Sequence, residues 1–557
     1  MKSTSKPTGL RYWMLRVLDE CDNVAADFSA DPVHDLRVAL RRCRSLADGM
    51  MAMDPDPSWK AMKKAGKQLF QRLGALRDIQ IMMEWIEKLE LNAEQTPALV
   101  VLPQTLPDAA GDISAKDEIS ATFVSSQDHS HDSAAQALLY ILKGREAEQK
   151  REARAALEEF DRKQWRQWSR SLPIRTSRIR PGSIVFKHLA LERWTTAREL
   201  HTRAMRTRSQ VALHTLRIGI KRFRYIVENF LPAEHEKWSD DLKHMQDLLG
   251  EVHDLDVLWA TAISCHVFPV PASRNAWHER IVEERTKRID EYRARSIGDD
   301  SLWHSWRAGL PQGKQIKEIA TRRMKLWAKA LDPDFAHSER VARLCLQLYD
   351  ALNGAGLFRK PASANGHGDS DEARASLYLG ALLHDVGKTK GDKGHHKESL
   401  ELIKQHGTPL GWKEEDMRRA GLVARFHAGA LPARNHKELR DLLPDDQRTV
   451  IQLAAILRLA NALDVAHDGH VRRVKIENLS QPSAPRRSNG FLRKPPVLGK
   501  NEALVIAAEG YAEGTATAQA VAAERYLLET VLRRPVIVRP AAGVRQAAAG
   551  VRAVRRP

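Results

Sequence analysis

The sequence predicts a mainly α-helical protein: two related helical bundles, then an all-helical domain that ends in a small α/β unit. Three observations support this prediction. Apolar residues recur at helical spacing through most of the chain, an eleven-residue pattern returns 180 residues later, and strand-like alternation begins only after Asp464. A chain of 557 residues is long enough to bury several hydrophobic cores.

The internal repeat defines the first part of the chain. Residues 34–44 read HDLRVALRRCR, and residues 214–224 read HTLRIGIKRFR. Two further segments, LGALRDIQI and LLGEVHDLDV, follow in the same order. We therefore expect residues 1–310 to form two pseudo-repeated bundles. Residues 92–135 are rich in Ser, Asp, Pro and Gly without sustained periodicity, which predicts a flexible insertion in the first bundle.

The rest of the chain divides by pattern. A punctuated stretch, residues 296–313, predicts the domain boundary, and residues 315–470 show helical periodicity. Residues 471–540 contain strand-like, helical and again strand-like segments, which predicts a small α/β unit. This unit either completes the core of the helical domain or forms the surface of a homodimer. The Ala, Gly and Arg composition of residues 541–557 predicts a disordered basic tail.

Charge points to a polyanionic partner. The net charge is +18 and the sequence pI is near 9.7. Only 6% of residues are aromatic, so platforms for stacking bases are scarce, and nucleic acid is disfavoured as the partner. No apolar run reaches the roughly 20 residues of a membrane span, and charged residues interrupt the N-terminal segment before a signal-peptide core develops. These features predict a cytoplasmic protein.

The repeated pattern forms two basic stripes. In each stripe, side chains three and four residues apart share one helix face, and like charges so placed destabilise a helix unless an anion compensates them. Arginine binds phosphate oxygens in two-point contacts. A solvated face, or salt bridges to neighbouring helices, is the alternative, but the duplication favours anion binding. The stripes are His34, Arg37, Arg41 and Arg44, and His214, Arg217, Lys221 and Arg224.

These motifs resemble the CHAD domain, the conserved-histidine α-helical domain, over roughly residues 5–300. The resemblance implies two pseudo-symmetric bundles whose basic faces line a central channel that binds inorganic polyphosphate, and it makes polyphosphate granules an alternative location. The polyphosphate-binding positions that it implies are His34, Arg37, Arg41, Arg42, Arg44, His214, Arg217, Lys221, Arg222 and Arg224.

A set of imidazole and carboxylate groups follows in the helical domain. His384 and Asp385 are adjacent at the end of an apolar helix, His337 opens a helix upstream, and Asp464 ends a long apolar helix downstream. Such a set suits Mn, Fe, Co, Ni or Zn, or Mg if water fills several positions, and the sequence does not distinguish these metals. Three further histidines could complete a second metal site: His395, His396 and His427.

This ordered series resembles the HD-domain phosphohydrolases over about residues 320–470. The segments GHHKESLELI, LVARFHAGALP and LAAILRLANALD more closely resemble the C-terminal half of the exopolyphosphatase and guanosine pentaphosphatase family. The resemblance implies core metal ligands, second-site ligands with His395 preferred over His396, a catalytic role for Asp385, and a phosphate contact for Lys388. The implied metal ligands are His337, His384, Asp385, His395, His427 and Asp464.

The expected function joins the two halves. The chain lacks the glycine-rich phosphate loops of that family's actin-like N-terminal half, so any chemistry must come from the metal site. We expect a polyphosphate-binding, metal-dependent phosphohydrolase that cleaves phosphoanhydride bonds of inorganic polyphosphate. The alternatives are hydrolysis of guanosine penta- or tetraphosphate or another nucleotide, with polyphosphate as a tether, and a non-catalytic scaffold on polyphosphate granules.

Overall fold

The computed structural model describes residues 9–94, 129–358, 368–477 and 503–541. The described chain is mainly α-helical with a small C-terminal sheet, which confirms the predicted fold class. It forms two compact units, which divide between Gln312 and Gly313. Among the described helices, none combines the length and apolar character needed to cross a lipid bilayer.

The first unit consists of helices, several of which begin at a recognisable cap or a proline. Asp161 accepts a hydrogen bond from the backbone N–H of Gln164, Ser209 accepts one from Ala212, and a proline opens the longest helix. The helices are α1 (Leu10–Ala26), α2 (Ala30–Met51), α3 (Pro57–Ala65), α4 (Lys67–Glu94), α5 (His129–Glu158), α6 (Arg162–Thr176), α7 (Ile184–Thr207), α8 (Gln210–Phe230), α9 (Pro232–Ser264), α10 (Pro271–Ser296) and α11 (Leu302–Ala308).

The sequence repeat is visible as a repeat of packing. Helix α2 packs on α1 as α8 packs on α7, and α4 packs on α5 as α9 packs on α10. The first copy is interrupted at Gly66, between α3 and α4, where the second copy has the continuous helix α9. The two copies meet where α2 contacts α8 and α4 contacts α9. Both basic stripes therefore lie at the junction of the two bundles.

Three segments of the chain differ from the sequence prediction or lie partly outside the described residues. The predicted flexible insertion begins and ends in helix, since α4 continues to Glu94 and α5 begins at His129, and residues 95–128 lie outside the described residues. The boundary stretch contains helix α11, whose Trp303 and Trp306 side chains are fully buried in the first unit. The predicted basic tail lies outside the described residues beyond residue 541.

The second unit is a helical domain with three strands. A short 3-10 helix, Val386–Lys390, joins α14 to α15. The elements are α12 (Gln315–Leu331), α13 (Phe335–Gly354), α14 (Gly368–Leu383), α15 (His395–His406), α16 (Glu414–Arg425), α17 (Pro444–Leu463), β1 (Arg473–Glu477), β2 (Leu504–Glu509), α18 (Ala516–Leu532) and β3 (Val536–Pro540).

The sheet has the order β1-β2-β3, with β1 antiparallel and β3 parallel to the central strand. Helix α18 makes the crossover between β2 and β3 and packs on α17. Val474, Ile506 and Val538 belong to the same hydrophobic core as residues of α13, α14 and α17. Of the two roles that the sequence leaves open for this unit, the described residues support completion of the helical core, and the homodimer stays a prediction.

Candidate functional site

The junction of the two bundles in the first unit contains a cationic cavity of about 380 Å³. Helices α2, α4, α8 and α9 line it, so both copies of the repeat contribute. Five arginine or lysine side chains and only two carboxylates face it, which makes it a site for an anion. Its polar lining is His34, Arg37, Arg41, Arg77, Asp78, Arg217, Lys221, Gln246, His253 and Asp254.

Aromatic rings and glycines position the cavity arginines. The guanidinium group of Arg41 lies 5.7 Å from the centre of the Tyr225 ring. A methyl group in place of an α-hydrogen of Gly74 would come within 3.8 Å of Arg37, and one at Gly250 would come within 3.8 Å of Arg217. Each arginine therefore lies beside the glycine of its own repeat copy.

The positively charged groups of the cavity repel one another. Burial, together with the nearby charge of Arg217 and other arginines, lowers the pKa of Lys221 to about 8. Burial and Arg217 likewise lower the pKa of His253 to about 4. The Nε atom of Arg41 and the hydroxyl of Tyr225 are buried, and neither has a hydrogen-bond partner among the described residues. A bound anion would relieve the repulsion between the cations of the cavity.

Five of the ten predicted polyphosphate-binding residues are not among those that line the cavity. Arg42 and Arg224 form ion pairs with Glu228, the latter with an N–O distance of 3.7 Å. Arg44 donates a 2.8 Å hydrogen bond to the backbone carbonyl of Lys63. For these residues the structure matches the alternative of contacts to neighbouring helices. The five are Arg42, Arg44, His214, Arg222 and Arg224.

The other two of these five residues, Arg222 and His214, form no such contact to a neighbouring carboxylate or carbonyl group among the described residues. The cavity also contains residues for which the sequence predicted no binding role. Arg222 is exposed, and His214 lies behind the lining with its Nδ1 3.3 Å from Nδ1 of His253. Arg77 and Gln246 line the cavity although no binding role was predicted for them. Arg77 could have been found, because it lies within the repeated segment LGALRDIQI, whereas no sequence signal marks Gln246.

A second site lies in the second unit, where four elements bring histidines to Asp385. His384 and Asp385 follow directly after α14, His395 begins α15, His427 follows α16, and His337 lies in the first turn of α13. The hydroxyl of Ser399 links two of these elements, since it donates to the carbonyl of His384 at 2.7 Å and accepts from Gly387 N–H at 2.9 Å. The turn that carries His384 and Asp385 is thereby fixed to α15.

Three of the histidines have the same orientation. In each ring Nδ1 lies within hydrogen-bond distance of the backbone carbonyl three residues earlier, at 2.8 Å for His384, 2.7 Å for His395 and 2.6 Å for His427. A carbonyl oxygen only accepts, so Nδ1 carries the proton and the lone pair is on Nε2. This arrangement is the one that orients histidine ligands in metal sites.

The three Nε2 atoms converge on Asp385. They lie 3.3 Å (His384), 3.3 Å (His395) and 3.6 Å (His427) from its carboxylate oxygens. Two groups of ligand atoms result, each with all its atoms within 4.8 Å of one another, and Asp385 belongs to both. The first group is His337, His384 and Asp385, and the second is Asp385, His395 and His427.

The donor set fits a divalent metal ion in three respects. Nε2 of His395 and Nε2 of His427 are 3.0 Å apart, so two lone pairs oppose each other unless a cation or proton lies between them. Nε2 of His384 and Oδ1 of Asp385 are buried without a hydrogen-bond partner among the described residues. Mixed imidazole and carboxylate ligands suit first-row transition metals.

The electrostatics keep Asp385 ionised. Burial alone would raise its pKa, but the neighbouring imidazole rings of His384, His395 and His427 hold the pKa of this carboxyl well below its ordinary value. His427 is completely buried, and burial holds its pKa well below the ordinary value, so its ring is neutral. An ionised Asp385 and a neutral His427 are the protonation states in which these two groups bind a metal.

Asp464 occupies a different place from the one the sequence suggests. Its carboxylate accepts hydrogen bonds from Nδ1 of His337 at 2.7 Å, from Nε of Arg340 at 2.9 Å and from the N–H of Gly469 at 3.1 Å. It belongs to neither of the ligand groups found among the described residues. In this arrangement Asp464 orients His337, and its role as a direct ligand stays a prediction.

The remaining predicted residues lie beside the cluster. The ammonium group of Lys388 is 2.5 Å from Oδ2 of Asp385, and its side chain is about one-fifth exposed. Of the two neighbouring histidines, His395 is in a ligand group, whereas the His396 ring packs against Gly429. Burial and the charge of Arg425 lower the pKa of His396 to about 4. The geometry therefore favours His395 as the ligand of the pair.

Gly387 allows the His384–Asp385 turn to approach α15. A Cβ atom at this position would lie 2.1 Å from the carbonyl oxygen of His395 and 2.6 Å from the N–H nitrogen of Ser399. We expect Gly387→Ala to cost about 1–3 kcal/mol of unfolding free energy, which a thermal melt would register as a lower Tm. Gly354→Ala is the matched control, because a methyl group added there would meet nothing within 4 Å. Equal melting temperatures for both variants would contradict the close approach.

Comparison with known families finds two matches in the chain, one in each unit. Residues 14–262 match the CHAD domain, and residues 319–488 match Ppx/GppA phosphatase, domain III. The chain combines a CHAD domain with a Ppx/GppA phosphatase domain III. The cationic cavity lies within the CHAD match, and all residues of the two ligand groups lie within the domain III match. No curated protein matches the chain significantly.

Proposed function

We propose that this protein binds inorganic polyphosphate through its CHAD domain and hydrolyses phosphoanhydride bonds at a metal centre in its Ppx/GppA-like domain. The observation that carries the catalytic part is the sharing of Asp385 by two groups of oriented ligand atoms. The backbone carbonyls occupy Nδ1 of His384, His395 and His427, which leaves the three Nε2 atoms available to bind a metal beside this carboxylate. The family matches support a phosphatase theme in general.

The metal centre is held by the two ligand groups described above. His337 and His384 would bind one ion, His395 and His427 the other, and Asp385 both. When bound, such ions neutralise charge on a phosphate group and activate water for attack on the phosphoanhydride bond. The chain supports these ligands through the three backbone carbonyls that orient the rings and through Asp464, which orients His337.

Lys388 is the residue we assign to the phosphate group. Its ammonium is partly exposed and already faces the carboxylate of Asp385, so a phosphate oxygen at the centre would come within its reach. A lysine supplies a compact positive charge that stabilises the phosphate oxygens as charge develops on them. Arg340, which holds Asp464, is kept from the phosphate by that contact.

The CHAD cavity would retain the polymer. Five cationic side chains from both repeat copies face one cavity, and duplication of the basic pattern supports a ligand with repeated charge. Retention on the same chain raises the local concentration of phosphoanhydride bonds for the metal centre. The same binding would place the protein on polyphosphate granules in the cytoplasm.

The test is phosphate release by the full-length protein. We expect release from long-chain polyphosphate with added Mn²⁺, its loss after treatment with a chelator, and its return when the metal is restored. Guanosine pentaphosphate is the second substrate to assay, because the segments of the second unit resemble the exopolyphosphatase and guanosine pentaphosphatase family. Release of phosphate from guanosine pentaphosphate but not from polyphosphate would identify the nucleotide as the substrate. Binding of polyphosphate without release from either compound would contradict the catalytic proposal and favour a scaffold.

A further inference from the structure

We propose that Asp78 and Asp254 determine the affinity of the CHAD cavity by coupling anion binding to the uptake of protons. This inference rests on the proposed binding of polyphosphate, and it concerns the two residues of the cavity whose charge is opposite to that of the others. They occupy the same position in the two repeat copies, one on α4 and one on α9, and both line the cavity.

A carboxylate in a site for an anion needs an explanation. An ionised carboxylate has no hydrogen to donate, so it repels a phosphate oxygen at short range. Once protonated, the same group donates an O–H to that oxygen and becomes an attractive contact. Each aspartate that contacts a phosphate oxygen at hydrogen-bond distance therefore requires one proton between the two oxygens, on whichever group it resides.

The surroundings of Asp254 define how easily it gains that proton. From α9 itself it faces Glu251 and His253. The other three helices present both cations and one further acid, and these groups are His34, Arg37 and Arg41 on α2, Arg77 and Asp78 on α4, and Arg217 and Lys221 on α8. Most of these groups are cationic, but Asp78 and Glu251 are like charges that favour protonation.

The cavity is already close to the point of protonation before an anion binds. Burial raises the pKa of Asp254 to about 6, with Arg217 opposing and Asp78 reinforcing the rise, and burial also raises the pKa of Asp78. A bound polyanion adds negative charge beside both groups and raises both pKa values further. The bound state thus holds protons that the free protein has released at neutral pH, so affinity increases as the pH falls towards 6.

An asparagine at either position removes the need for a proton between the side chain and the phosphate oxygen. The amide of Asp254→Asn is neutral at every pH and offers N–H donors to a phosphate oxygen. We expect this variant to bind polyphosphate about tenfold more tightly than the wild type at pH 7.5, and Asp78→Asn plus Asp254→Asn to bind more tightly still. The difference between Asp254→Asn and the wild type should become small near pH 5.5, where the carboxyl group of Asp254 is mostly protonated.

The experiment measures binding of long-chain polyphosphate to the full-length protein in chelator, at constant ionic strength, from pH 5.5 to 8. Titration calorimetry in two buffers with different ionisation enthalpies gives the number of protons taken up. Asp256→Asn is the matched control, because Asp256 lies on α9 but pairs with Arg285 at 3.0 Å and does not line the cavity. Lys221→Arg shows how many of these protons Lys221 takes up, because the pKa of Lys221 is about 8 and that of an arginine is far higher.

The outcomes distinguish failure of this inference from failure of the proposed function. Tighter binding and fewer protons taken up in Asp254→Asn, with neither change in Asp256→Asn, support the inference. Weaker binding in Asp254→Asn, or an unchanged number of protons, overturns it and makes the carboxylates mere supports for the arginines. Absence of binding by the wild-type protein at every pH overturns the proposed function and this inference with it.

Discussion

Asp385→Asn is expected to remove metal binding and phosphate release together, with activity falling by at least about 100-fold. Asp385 is the residue that the two ligand groups share, and its ionised carboxylate is the negative charge that balances the cations. An amide keeps the size of the side chain but supplies neither the charge nor the second acceptor oxygen. The measurement is metal content after dialysis, determined beside phosphate release from polyphosphate.

Asp392→Asn is the control for this substitution. Asp392 is seven residues further along, its side chain is exposed, and only its backbone carbonyl contacts the site, through Nδ1 of His395. We expect it to retain metal and activity. Full activity in a metal-depleted Asp385→Asn protein would show that the cluster is structural, and a melting temperature for each variant distinguishes loss of metal from loss of fold.

The second large effect is expected from Arg37→Ala combined with Arg217→Ala. These arginines occupy equivalent positions in the two repeat copies, and both line the cavity. A hydrogen bond to a charged group contributes about 1.5–3 kcal/mol, so loss of both should weaken polyphosphate binding by at least about 100-fold. Fewer phosphate contacts also release fewer counterions, so the dependence of affinity on salt should become shallower.

A pair of exposed arginines on α7 provides the matched control. Arg203→Ala combined with Arg206→Ala removes the same net charge without touching the cavity. If binding weakens equally in both double variants, the protein attracts polyphosphate by its overall positive charge and the cavity has no special role. Circular dichroism of each variant checks that the bundles remain folded.

The helices and the repeat were predictable because they depend on local spacing. Helical periodicity and the duplicated pattern sufficed for the two bundles, since apolar residues three and four positions apart share a face. The limits of that reasoning are visible at Arg42 and Arg222. Each lies eight residues after the histidine that opens its stripe, which places it about 80° around the helix from that histidine, away from the side occupied by Arg37 and Arg217.

Axial distance limits the prediction for Arg44 and Arg224. Both lie ten residues after the first histidine of the stripe, about 15 Å along the helix, and they contact other helices instead of the cavity. A stripe drawn on one helix contains no information about where the cavity between helices ends. The depth of the cavity depends on α4 and α9, which come from distant parts of the chain.

The residues of the metal cluster were predictable from the sequence, but the supporting position of Asp464 was not. The order of histidines and aspartates indicates that they meet, whereas the place of Asp464 depends on Arg340, a residue that carries no motif. Arg340 lies one turn after His337 on α13, so the same helix that brings the histidine also brings the cation that holds Asp464. Tertiary contacts of this kind have no signature in residue spacing.

The core shared by the helices and the sheet has a consequence for how this protein is made. Every proposed metal ligand leaves the ribosome before β2 and β3, yet Ile506 and Val538 complete the core that supports α13, α14 and α17. Until residue 540 has emerged, the nascent chain exposes apolar surface that only the last strands cover. A message truncated between the codons for residues 477 and 504 would therefore yield a polypeptide that contains all the ligands but is prone to aggregate and to be degraded.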